Sequence, residues 1–188
     1  MIDIIEEARK FAEEECKKPS ANYPTAYGLH FISMHKSAKE LAKKLKADEE
    51  IVEVAAWLHD IGSIICGREN HHITGAEIAE KKLKELGYPE DRIEKVKLCI
   101  LNHRGSKEKE NTRDSIEARV IADADAIDAF NDVSKQFVVC LVHEKLSLEE
   151  AKRSIIRKLQ NKWNQLSLEE SRQMIKPKFD AAMVVLGN

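Results

Sequence analysis

The segment IVEVAAWLHDIGSII, residues 51–65, constrains this chain more than any other. It is apolar on nearly every side, so a helix formed from it has no solvent face and should run through the middle of the fold. His59 and Asp60 sit inside it. A carboxylate carried inward by such a helix is costly unless a cation or hydrogen-bond donors compensate. A divalent metal would supply that charge, with His nitrogen and Asp oxygen as suitable ligands. For the dipeptide alone, the plainer reading is a His-Asp hydrogen-bonded pair near a helix end.

The rest of the chain reads as helix. Ile4, Ile5, Ala8, Phe11 and Ala12 recur three and four apart, giving a first helix over 2–18 that ends before Pro19. Met34, Ala38, Leu41 and Leu45 mark a second, ending near Ala47, with His30 four residues earlier on the same stripe. Asp48 is placed to cap the third helix. HHITGAEIAEKKLKELG and RIEKVKLCILNHRG form two more, stopped by Gly87 with Pro89 and by Gly105. KEKENTRD reads as a mobile loop opening into one long helix from about Ser115 to Glu144. Ser147 and Ser167 each have Glu three residues on, the pattern of a capping box. No strand-like alternation occurs. These features predict an all-α, compact single-domain helical bundle over 1–188, its motifs within about 26–131. The helices of 147–188 either pack on that part or present a homodimer face.

With 188 residues and 43% apolar content, one substantial core is enough. A net charge of −2 and a pI near 6.4 give no global field for duplex nucleic acid, so phosphate recognition must be local. Cys16, Cys66, Cys99 and Cys140 are scattered, with no Cys-x-x-Cys pair, and suit a reducing compartment. Cys66 and Cys99 read as small buried hydrophobes. The charged N-terminal segment lacks the apolar core of a signal peptide, and no stretch is long enough to span a membrane. The expectation is a cytoplasmic protein without a membrane partner.

The His-Asp pair has company. His30, His71, His72 and His103 stand at separate helix ends or starts, in segments whose apolar faces must converge on one core. His35 and His143 fall outside these positions and read as surface or terminal residues. Asp123, Asp125 and Asp128 lie in an otherwise apolar run, VIADADAID. Asp125 and Asp128 share a face with Ile121, whereas Asp123 points roughly 200° from Asp125 on a 3.6-residue turn. That favours Asp125 as a ligand, with Asp123 and Asp128 solvated or capping nearby donors. Because Val120 and Ile127 flank Asp123, periodicity alone leaves the choice open.

AAWLHDIG, HHITGAEIA, ILNHRG and EARVIADADAID together, in this order, resemble the HD superfamily of metal-dependent phosphohydrolases, from about His30 to Asp128. The resemblance implies an all-α domain in which His30, His59, Asp60 and Asp125 hold a first metal. In two-metal members the residue corresponding to Asp60 bridges the ions. The second ion would here fall to His103 with His71 or His72, of which His71 is preferred. It implies one or two divalent ions per chain, Mn, Fe, Mg, Co or Zn, that activate a water against a small phosphate ester such as a nucleotide. Asp60 would then position the water, and His72 or His103, where not metal-bound, could assist the leaving group. Many nucleotide-acting relatives carry Lys or Arg after the final Asp, where this chain has Ala126; Arg104, directly after His103, is the replacement candidate for contacting phosphate. The same ligands would serve a di-iron oxygenase, and the scaffold alone a non-catalytic binding module. No Gly-x-x-x-x-Gly-Lys loop, Gly-x-Ser-x-Gly elbow or His-Glu-x-x-His helix is present.

Overall fold

The computed structural model describes residues 2–104 and 114–187, except the side chain of His143, and shows no strand among them. The architecture is all-α. The expected loop KEKENTRD lies outside the described residues apart from Asp114, as does the His143 side chain. The chain divides into two compact units, Met1–Ala122 and Asp123–Asn188.

In the first unit, α1 (Ile4–Lys17) starts at Asp3, whose carboxylate accepts from the Glu6 amide, and buries Ile4, Ala8, Ala12 and Cys16. A π turn, Tyr27–Phe31, runs into α2 (Ile32–Leu45), which buries Met34, Ala38, Leu41 and Ala42. α3 (Glu49–Leu58) is the centre, packed by α1, α2 and α6, with every residue from Ile51 to Leu58 buried. The Asp48 carboxylate caps it at the Ile51 amide and also takes Arg92 at 2.9 Å. Glu53, the acid within this buried stretch, pairs with Lys39 at 2.9 Å and hydrogen-bonds His35 at 2.9 Å. His35 is therefore no surface residue: its ring stacks on Trp57, centroids 4.4 Å apart.

The apolar run does not form one helix over 51–65. It breaks after Leu58, and α4 (Ile61–Cys66) begins past Asp60, whose φ is −108° and ψ 12°. The His59 ring explains the break, since its Nδ1 donates to the Ala56 carbonyl at 2.9 Å. That carbonyl is the acceptor the next helical turn needs, and side-chain competition of this kind ends helices. α5 (His71–Glu85) packs against α4 and against α6 (Glu90–Asn102). Cys99 is buried but Cys66, at the end of α4, is exposed, contrary to its expected burial.

α7 (Ile116–Asn131) crosses from the first unit into the second. The expected long helix to Glu144 stops here: Asp132 takes extended backbone and accepts from the Ser134 amide at 3.0 Å, starting α8 (Val133–Val138). A second π turn, Val139–His143, follows. α9 (Leu148–Gln165) opens with the expected capping box of Ser147 and Glu150. α10 (Glu169–Leu186) does not; its N-cap is Leu168. The fully buried Asp123 instead accepts from the Ser167 amide at 2.9 Å, the Ser167 hydroxyl at 3.1 Å and the Leu168 amide at 2.9 Å. It caps α10 from forty-four residues away. Asp123→Ala would leave these donors without an acceptor, and a loss of about 2 kcal/mol in urea denaturation is expected.

Candidate metal centre

Three imidazoles in the first unit are set by one device. His59 ends α3 and His103 ends α6, where the last carbonyls of a helix lack intrahelical partners. His59 Nδ1 bonds Ala56 O at 2.9 Å, and His103 Nδ1 bonds Ile100 O at 2.5 Å. His71, first residue of α5, bonds the Arg68 carbonyl through Nδ1 at 2.9 Å. A carbonyl only accepts, so each Nδ1 carries the proton and each neutral ring turns an Nε2 lone pair inward.

Those Nε2 atoms meet at Asp60. Its Oδ1 lies 3.2 Å from His71 Nε2 and 3.6 Å from His103 Nε2. Its Oδ2 lies 3.8 Å from His30 Nε2 and 3.9 Å from His59 Nε2. His30 reaches in from the π turn and approaches His59, Nε2 to Nε2, at 2.9 Å. His59 and His103 are buried, whereas the Asp60 side chain is 26% exposed, so the carboxylate is the open edge of the cluster. Burial would push the Asp60 carboxyl up, but the charge and hydrogen bonding of His59, His103 and His30 outweigh it and hold the group well below the usual carboxylate range. Burial lowers the His71 pKa, against the opposing pull of Asp60.

These facts test whether a metal fits. The His30–His59 contact can be an ordinary hydrogen bond, donated by His30. The His71–His103 contact, Nε2 to Nε2 at 3.2 Å, cannot be one while both rings are neutral, because both Nδ1 protons are already committed. Two lone pairs and the Asp60 carboxylate then face one another and require a shared cation. Burial disfavours a proton on His71, and a divalent metal is an occupant that satisfies all three groups at once. Asp60, His71 and His103 each offer a ligand atom within 4.8 Å of the others.

Neither His72 nor Arg104 belongs to the Asp60, His71 and His103 group. The His72 ring stands 5.9 Å from that of His71, centroid to centroid, and His72 is in none of the ligand groups among the described residues. Arg104 is exposed at the bend after α6, and its charge also lowers the His71 pKa. Asp125, in the second unit, is half-buried and bonds Lys162 Nζ at 2.7 Å. A further group, Glu80, Glu90 and Glu94, is tied up by Lys84 and Lys97 as an ion network.

The sequence pattern of the HD domain family matches residues 27–129, a stretch that holds His30, His59, Asp60, His71, His103 and Asp125. This chain belongs to the HD domain family. HD domains bind divalent metals, and the donors described above suit one. Ribonuclease Y of Borreliella burgdorferi is 34% identical over 115 residues, covering 57% of this chain and 20% of that protein. An uncharacterised Clostridium beijerinckii protein is 31% identical over 107 residues, covering 55% of this chain and 60% of its own length. The chain thus spans about one fifth and three fifths of these relatives. Among solved structures, Bacillus subtilis YpgQ superposes with a TM-score of 0.75 at 18% identity, over 97% of this chain and 91% of YpgQ. A Bacillus thuringiensis HD-superfamily hydrolase gives 0.74 at 19%, over 97% and 93%. At such identities the likeness carries the HD-domain fold.

Proposed function

We propose that this HD domain is a metal-dependent phosphohydrolase that cleaves a small phosphate ester, with nucleotides as the substrate class. The observation that carries the reading is the meeting of the His71 and His103 lone pairs on the Asp60 carboxylate, an arrangement that needs a cation and keeps one edge open to solvent. His30 and His59 supply the other pair of donors, and the family resemblance adds Asp125 to them. A metal held by these residues would supply the charge that polarises a phosphoryl oxygen and lowers the pKa of a water. Asp60, through its exposed edge, would orient the water. Arg104, exposed beside His103, contacts the substrate phosphate in place of the cation missing at Ala126. A YpgQ structure holding ADP supports the choice of nucleotides.

The test is metal content of the purified protein together with phosphate release from nucleotides and simple phosphoesters in Mn, Mg, Co, Zn and Fe. Metal at one or two per chain with phosphate release is the expected result. Absence of metal would sink the proposal in favour of a binding module; iron with oxygen uptake and no phosphate release would sink it in favour of an oxygenase. Arg104→Ala should raise KM about tenfold without changing metal content, the effect of losing one charge-assisted hydrogen bond.

A further inference from the structure

α1 bears none of the proposed ligands, yet it grips the turn that carries His30. Tyr27 opens that turn, and its carbonyl accepts from the Ile32 amide, five residues on, the wide π spacing. π turns are rare and recur where a side chain must be aimed. Three residues apart in so wide a turn, Tyr27 and His30 leave in different directions. His30 Nε2 meets His59 at 2.9 Å, while the Tyr27 phenol meets Arg9 Nη1, on α1, at 2.6 Å.

The grip has several points. Arg9 is locked between Glu6 and Glu13, each at 2.7 Å, so its guanidinium is fixed before it reaches Tyr27. About two turns further along α1, the buried Cys16 thiol is within hydrogen-bonding reach of the Tyr27 backbone amide. The Tyr27 ring stacks on Trp57 of α3, centroids 6.0 Å apart and planes 21° from parallel, and Trp57 is itself stacked on His35. Trp57 lies two residues before His59 on the same chain, so this contact references the His30 turn directly to the His59 end of α3. By contrast Thr25, Gly28 and Leu29, around Tyr27, are exposed.

We infer that Arg9, Tyr27 and Trp57 are positioning residues of the metal centre: by fixing the π turn they fix His30 Nε2, and so set metal affinity without touching a ligand atom. The inference rests on the metal-centre reading above. Its test is calorimetric titration of metal-stripped protein with MnCl₂ for wild type, Tyr27→Phe, Arg9→Met, Arg9→Lys and Asp60→Ala, with thermal melts of each metal-free protein. Tyr27→Phe keeps the ring stack and removes only the phenol. It should melt like wild type but bind Mn(II) about tenfold more weakly, the usual cost of losing a group that orients a ligand. Arg9→Met should match it, and Arg9→Lys, which keeps a cation, should recover part of the loss. Should Tyr27→Phe melt early, Arg9→Met decides. Affinity equal to wild type in both variants, with or without a lower melting temperature, overturns the inference and leaves the metal centre standing. Wild type that binds no Mn(II) overturns both.

Discussion

Asp60→Ala should empty the centre of metal and cut phosphate release by about 10³-fold or more, as loss of a key preorganised electrostatic group does. Both of its oxygens are engaged, Oδ1 toward His71 and His103 and Oδ2 toward His30 and His59. The four rings bring only neutral donors when ready to bind metal, so Asp60 is the anion among them. The fold should survive the substitution. Asp60 caps no backbone amide of α4, and its bond from the Ser63 hydroxyl is a long 3.4 Å. Metal analysis, turnover and a melt of the metal-free variant separate these effects. Turnover unchanged from wild type would remove Asp60, and with it this centre, from the chemistry.

How much of this was legible in the sequence follows from the range of the forces involved. Local signals read well: the apolar stripe of α1, the Asp48 cap of α3 and the Ser147 box of α9 are decided within a few residues. The convergence of His30, His71 and His103 on the His59–Asp60 turn could be suspected because each stands at a helix end, where side chains are aimed across a bundle. The break at that turn could not. Hydrophobic pattern continues through it, and the deciding contact is a single His59 bond to the Ala56 carbonyl. Ser167 misled for a different reason: a local capping signal lost to Asp123, a buried acceptor far away in sequence. Arg9 and Tyr27 gave no motif at all, since their pairing joins two helical segments whose patterns mark only their own buried faces.

Gly62→Ala should be the most damaging one-carbon change near the centre. A Cβ there would lie 2.2 Å from the His71 carbonyl oxygen and 2.6 Å from the Gly75 amide nitrogen. Both are backbone atoms, so neither can swing aside as a flexible side chain would. Relief requires α4 and α5 to separate, with an expected cost of about 3 kcal/mol or more from overpacking. For a chain of this size that corresponds to a melting temperature lower by roughly 6 to 12 °C. Gly28→Ala is the control, because its Cβ would meet nothing within 4 Å and its φ is not positive. That change should leave stability within about 1 kcal/mol of wild type. The clash at Gly62 also falls on the residue that presents Nε2 to Asp60 at 3.2 Å, so moving α5 moves a ligand. Stability and Mn(II) affinity should therefore fall together in Gly62→Ala, whereas Asp60→Ala should lose affinity and keep its metal-free melt. A Gly62→Ala protein that melts with the Gly28→Ala control would show that α4 and α5 do not approach this closely at the start of α5.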